Sequence, residues 1–174
     1  MKRKAKTIEE LDRQVQEFFS IVNDADDLAC VLLSVNYLDE ILRTILKTRL
    51  KESKVTENIL NPSSGFLGTF SARMDMVYCL GMLDKKIYND LRIIAQIRNI
   101  FAHSFDAVSF DSPDVVKLLS KFQWYDSFTG PKVKLEDYPP GSLKYSENRY
   151  KYTDTVGILG PKLILSCFKE QDIL

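Results

Sequence analysis

Apolar residues recur every three or four positions through most of this chain, which is the spacing of one face of an α-helix. The clearest run begins at Leu28 and continues to Leu50, and it predicts a long helix over about 24–51. The same spacing predicts further helices over about 7–22, 69–80, 84–103, 115–122 and 146–169. Residues 124–145 follow no helical period. The pattern therefore predicts an all-α, single-domain helical bundle of about six helices, with one long irregular loop near 124–145.

The ends of these helices carry capping signals. Polar caps are predicted at Thr7, Asp24 with Asp27, Asp84, Ser112 and Ser146. Gly81 is expected to end the helix over 69–80, and Pro161 is expected to kink the last helix. The stripe on helix 24–51 is wide enough to pack against more than one neighbour. Together with the apolar last helix it favours a homodimer, since two-fold pairing is the commonest oligomer.

Composition narrows the classes of function. The chain has 174 residues, within the range of one domain, so 1–174 is expected to be one helical unit. Its 24 basic and 24 acidic residues balance, and only residues 1–6 are locally basic, as expected for a mobile, solvated terminus. Duplex DNA is usually read from a concentrated basic surface. Specific duplex DNA binding is therefore not expected.

The three cysteines indicate a reducing compartment. Cys30, Cys79 and Cys167 are far apart and show no metal or redox spacing. Cys30 and Cys79 lie in apolar helical patterns, so both are expected to be buried. No apolar run is long enough for a membrane span, and the amino terminus does not resemble a signal peptide. We expect a cytoplasmic protein without membrane attachment.

Metal and cofactor sites are not expected. The adjacent acidic pairs Asp26-Asp27 and Asp39-Glu40 have no second histidine to complete a transition-metal set. Neighbouring side chains on a helix also point in different directions. A solvated acidic face is the better interpretation, and no bound cofactor is predicted.

The run Arg98-Asn99-Ile100-Phe101-Ala102-His103 contains the single histidine of the chain. Histidine is the side chain that exchanges protons near neutral pH, and arginine can hold a scissile phosphate. Arg98, Asn99 and His103 could therefore cleave RNA without a metal. This run resembles the motif of the HEPN ribonucleases, a resemblance that implies a composite site shared by two protomers.

A structural interpretation of the same run competes with catalysis, and we favour it. Asn99 and His103 would cap the last helical turn, with His103 interacting with its carbonyl groups. Arg98 would pair with a buried carboxylate. The enzyme hypothesis stays open as the alternative.

A second polar group lies in the helix over 69–80 and consists of Ser71, Arg73, Asp75 and Tyr78. If this helix forms a hairpin with the next one, Arg98 lies nearby. Amide groups at a helix amino terminus and two arginines would favour phosphate or carboxylate in a small anionic pocket. The alternative, which we favour, is that these residues make polar contacts that stabilise the fold.

Longer segments carry a family resemblance. The stretches Phe70-Ser71-Ala72-Arg73-Met74-Asp75, Tyr78-Cys79-Leu80-Gly81-Met82 and Ile97 to Ser104 are similar to the core of the mannitol operon repressor family. The resemblance covers residues 24–106 well and the last helix loosely, whereas 122–150 departs from it as an apparent insertion. It implies an all-helical, non-enzymatic regulator that acts through a protein partner.

Overall fold

The computed structural model describes residues 17–104, 107–127 and 144–168, and every regular element within them is a helix. The helices are α1 (17–24), α2 (Asp27–Arg49), α3 (Lys54–Ile59), α4 (Phe70–Cys79), α5 (Lys85–His103), α6 (Pro113–Leu119), α7 (Trp124–Ser127) and α8 (Glu147–Phe168). The predicted all-α bundle is confirmed. The predictions for residues 1–16, including the Thr7 cap, and those for 128–143 lie outside the described residues.

Helix α2 lies at the centre of the bundle and packs against α4, α5 and α8. Its wide apolar stripe is covered by these three neighbours, as its buried side chains show: Cys30, Val31, Val35, Leu38, Leu42, Ile45 and Leu46. The predicted inner face of α5 is also confirmed, with Ile87, Leu91, Ile94, Ile97 and Phe101 all buried. Burying such a stripe against several helices supplies most of the stability of an amphipathic helix.

The helix ends agree with the sequence in part. Thr69 and Asp84 cap α4 and α5 by accepting hydrogen bonds from main-chain amides three residues on. Gly81 follows α4 with a φ of 74°, a conformation that glycine adopts without strain. The cap of α2 was predicted wrongly, since Asp26 accepts from the amide of Ala29 at 2.7 Å. Asp27 instead forms an ion pair with Arg149.

Other predictions need correction. The short helices α3 and α7 were not predicted, and Cys79 is exposed whereas Cys30 is buried as expected. Ser112 stands at the cap position of α6 but makes no side-chain capping bond there. Its hydroxyl accepts from the amide of Ser109. Pro161 lies inside α8, and a kink at that position stays a prediction.

The described residues contain neither a membrane-spanning helix nor a cluster of metal-binding side chains. None of the helices in them has the length and apolar character that crossing a membrane requires. Within the same residues no three histidine, cysteine or acidic side chains come close enough together to hold a metal ion.

Candidate functional site

A groove opens on the surface where α2, α4 and α5 meet, and we call it the Arg98 groove. Its volume is about 370 Å³, within the range of small-molecule sites. Leu32, Val35, Phe70 and Ala95 form its apolar walls. Its polar lining consists of Asn36, Asp39, Thr69, Ser71, Arg98 and Asn99. Two residues from the ribonuclease-like run thus lie beside one residue of the predicted anion pocket.

A second cavity of about 320 Å³ adjoins this groove, and we call it the Arg92 pocket. Ser71, Ala95 and Asn99 line both cavities and form the boundary between them. Ala95 and Asn99 are one helical turn apart on α5 and so share a face. The Arg92 pocket adds Asp75 and Arg92 to the polar lining.

Arg98 is half-buried on the wall of its groove. Its Nη1 donates to Oδ1 of Asn99 at 3.1 Å. The carboxylate partner expected from the sequence is not found among residues 17–104, 107–127 and 144–168, where no acidic group lies within ion-pair distance of Arg98. Its positive charge is therefore left without a neutralising group in the described part of the chain.

Arg73 is separated from the other residues of the predicted anion pocket. Its side chain is 1% exposed and pairs with Asp39 of α2, while its Nη2 donates to the carbonyl oxygen of Leu60 at 3.1 Å. Residues two positions apart on a helix point about 200° from one another. Arg73 thus faces the core, whereas Ser71 and Asp75 face the cavities.

Asp75 and Tyr78 belong to a contact between α4 and α5. The ring of Tyr78 stacks on that of Tyr88, with centroids 4.2 Å apart. The Tyr88 hydroxyl donates to Oδ1 of Asp75 at 2.8 Å. This hydrogen bond raises the pKa of Tyr88, because the neighbouring carboxylate stabilises the protonated phenol. The arrangement fixes the two helices to one another.

His103 is exposed at the carboxyl end of α5. It is the last residue of the helix, and Ser104 follows as the capping residue. His103 is not among the residues that line the Arg98 groove. Of the ribonuclease-like run, the structure therefore brings Arg98 and Asn99 into one groove and leaves His103 outside it.

The loop between α3 and α4 displays a residue that sequence reasoning missed. Phe66 is 87% exposed, although it lies between Gly65 and the buried Leu67. Several main-chain hydrogen bonds hold the loop, and one of them joins the amide of Leu67 to the carbonyl of Ile59 at 2.8 Å. An aromatic residue between Gly65 and Gly68 was the signal available in the sequence.

The glycines explain how the main chain of this loop packs so closely. A Cβ atom at Gly65 would lie 2.2 Å from the carbonyl oxygen of Ile59, and one at Gly68 would lie 2.5 Å from that of Asn61. Only glycine permits such close approach of main chain to main chain. The Asn61 side chain also accepts from the amide of Ser63 at 2.9 Å. Phe66 is thus held outward by an ordered loop.

Comparison with known proteins identifies one family. The family model described as mannitol repressor matches residues 8–170. No curated protein matches the sequence closely enough to count as a relative. Among solved structures, the MtlR-HPr complex from Escherichia coli aligns with a TM-score of 0.67 at 15% identity, covering 86% of this chain and 97% of that one.

A second solved structure has the same fold. It is described as a possible transcriptional regulator, YggD, from Shigella flexneri, and it aligns with a TM-score of 0.59 at 15% identity. The alignment covers 88% of this chain and 95% of that one. At this identity the two structures show a shared fold over nearly the full length of each neighbour.

Proposed function

Because this chain belongs to the mannitol repressor family, we propose that it is a cytoplasmic, non-enzymatic regulator that acts by binding another protein. It does not read duplex DNA itself. The regulatory class follows from the family, whereas the mode of action, the partner and the compartment are parts of this proposal.

The observation that carries the proposal is the exposed Phe66 on its closely packed, hydrogen-bonded loop. Aromatic side chains are the commonest anchors of protein interfaces, because they bury a large area on binding and lose little conformational freedom. A preorganised loop lowers the entropic cost of binding further. We propose that Phe66 inserts into an apolar pocket of the partner.

An HPr protein is the partner we propose to test first. The structural neighbour from Escherichia coli was solved as an MtlR-HPr complex. Its fold is shared with this chain over 86% of the residues. The proposal extends that neighbour's partner class to this protein and assigns the contact to the loop that carries Phe66.

The balance of charge supports regulation without direct DNA reading. The 24 basic and 24 acidic residues balance, so the chain has no overall excess of the basic side chains that displace phosphate counterions. The test is fluorescence anisotropy of labelled genomic duplex fragments at about 0.15 M salt. We expect no sequence-selective binding, whereas a selected fragment that binds with a Kd below about 1 μM would overturn this part of the proposal.

We also propose a homodimer, although less exposed apolar surface supports it than the sequence indicated. The stripe on α2 is covered within the chain, but Leu28 on α2 and Leu165 on α8 remain exposed. These side chains are the apolar groups on the two helices that a second copy would cover. A monomer mass by light scattering at micromolar concentration would remove the homodimer from the account.

The second candidate function is metal-independent cleavage of RNA by Arg98, Asn99 and His103. Two observations favour it. Arg98 has no carboxylate partner in the described residues, and His103 is accessible to solvent. A composite site formed by two protomers would have to bring another copy's His103 to the groove. We rank this function second, because the family is one of regulators.

A further inference from the structure

The charge of Arg98 is the starting point, because it is half-buried and lacks a neutralising partner in the described residues. The amide oxygen of Asn99 is the acceptor at 3.1 Å, and it carries no formal charge. A guanidinium on a groove wall with no carboxylate beside it attracts an anion from solution. Its planar fork of donors matches the geometry of phosphate and carboxylate groups.

The surroundings of Arg98 strengthen this attraction. Leu32, Val35 and Phe70 contribute apolar walls to the Arg98 groove. Such walls lower the local dielectric, so the energy between opposite charges rises relative to open water. The Arg98 groove is thus a better place for an anion than an exposed arginine on a flat surface.

The acidic residue in the groove does not cancel this effect. Asp39 lines the groove, but its carboxylate is already paired with the buried guanidinium of Arg73. The pair is neutral as a unit, which leaves the single positive charge of Arg98. Asp75 lies in the neighbouring Arg92 pocket and does not line the Arg98 groove.

The remaining polar groups can hold the uncharged part of a ligand. Asn36, Ser71 and Asn99 are exposed residues of the groove. Each side chain can both donate and accept a hydrogen bond. Their arrangement around one arginine fits a molecule with one anionic group and several polar groups.

We propose that the Arg98 groove binds a small organic anion through its phosphate or carboxylate group, with Arg98 holding the charge and Asn36, Ser71 and Asn99 holding polar groups. Phe66 does not line this site, although Thr69 at the end of the same loop does. The proposal does not depend on the protein partner. Of the residues expected in the anion pocket, Ser71 and Arg98 line this groove, whereas Arg73, Asp75 and Tyr78 do not.

A small molecule fits this site better than RNA. The groove volume of about 370 Å³ corresponds to a small ligand. RNA binding normally uses several basic side chains along the path of the phosphates, whereas Arg98 is the one basic residue among the described residues that lines this groove. An RNA site is therefore an outcome that the test must be able to reveal.

The test is isothermal titration calorimetry of the full chain with inorganic phosphate, glycerol 3-phosphate and malate in a chloride buffer. Arg98→Gln removes the charge at the proposed site. Arg92→Gln is the matched control, because it removes the same charge from the same helix and Arg92 lines the neighbouring pocket but not the Arg98 groove. Circular dichroism and the melting temperature confirm that both variants are folded.

We expect at least one probe to bind the parent saturably. Its affinity should fall about tenfold to a hundredfold in Arg98→Gln and stay unchanged in Arg92→Gln. Comparison of glycerol 3-phosphate with malate identifies the anionic group. Absence of saturable binding to the parent, or an equal loss in both variants, would overturn the proposal. A short single-stranded RNA that binds in an Arg98-dependent way when the three anions do not would also overturn it.

Discussion

Nη1 of Arg149 lies 2.7 Å from Oδ1 of Asp27, joining the last helix to the start of α2 across 122 residues of sequence. The Arg149 side chain is only 2% exposed. It also donates to the carbonyl oxygens of Val22 at 3.0 Å and Ala25 at 2.6 Å. The ring of Tyr145 covers the guanidinium at 3.6 Å. One buried arginine thus fixes the turn between α1 and α2 against α8.

Arg149→Ala is expected to lower the free energy of unfolding by about 3–5 kcal/mol, because it leaves the Asp27 carboxylate and several carbonyl groups without their donor. Arg43→Ala is the matched control, since Arg43 pairs with Glu40 at 3.4 Å on the surface. That change should cost about 0–1 kcal/mol. Urea unfolding of both variants measures the difference, and equal losses would contradict the role given to Arg149.

Two glycines of α8 are predicted to respond in opposite ways to alanine. A Cβ at Gly160 would lie 2.5 Å from the Tyr37 hydroxyl oxygen, so Gly160→Ala should cost about 1–3 kcal/mol through overpacking against α2. At Gly157 the nearest atom is 3.4 Å away on the Phe19 ring. Gly157→Ala should be neutral or stabilise by up to about 1 kcal/mol. Thermal unfolding that ranks the two variants the other way would refute the packing described.

The burial of Cys30 predicts that the free energy of unfolding depends on pH. Burial raises the pKa of its thiol from 9.0 to about 11. The folded chain therefore keeps this proton at a pH where the unfolded chain loses it. The resulting stabilisation is complete below pH 9 and is lost as the pH rises to about 11.

Cys30→Ala isolates this contribution from those of other groups. The parent should lose about 1–3 kcal/mol more than the variant between pH 8 and pH 11. Urea midpoints at the two pH values give the comparison. Parallel pH profiles for the parent and Cys30→Ala would show that the thiol titrates alike in the folded and unfolded chains.

The variant His103→Ala distinguishes the proposed regulatory function from the candidate ribonuclease function. General acid or base transfer contributes about a hundredfold to ten-thousandfold, so a ribonuclease would lose cleavage of single-stranded RNA in this variant. We predict no cleavage by the parent. Because His103 is exposed and ends α5, we also expect its replacement to change the melting temperature little. EDTA-resistant cleavage by the parent that disappears in the variant would establish the second candidate function.

The long helices could be predicted from the sequence, because the spacing of their apolar residues and their capping residues are local signals. The buried face of α5 follows from the spacing of Ile87, Leu91, Ile94 and Ile97, and its start follows from Asp84. Helix α7 could not be found in this way. The amides of Gln123 and Trp124 at its start donate to Asp90, a buried residue more than 30 positions earlier.

The sequence predicted several residues of the candidate site, but it did not predict which side chains pair with one another. The sequence singled out Ser71, Arg98 and Asn99, which the fold places in one groove. It did not reveal that Arg73 pairs with Asp39, 34 residues away. Nor did it reveal Phe66, because the exposure of an aromatic residue depends on how its loop packs.

We propose that this protein regulates by binding a protein partner through the loop of Phe66. The most direct measurement is calorimetric titration of the parent, Phe66→Ala and Val55→Ala with HPr from the same source. Val55 is 66% exposed on α3 and serves as the matched control. Loss of an aromatic anchor typically costs at least about 2 kcal/mol of binding energy. We expect saturable binding that weakens at least about thirtyfold in Phe66→Ala and changes little in Val55→Ala. No binding by the parent, or equal binding by all three proteins, would show that Phe66 is not the anchor of a partner interface.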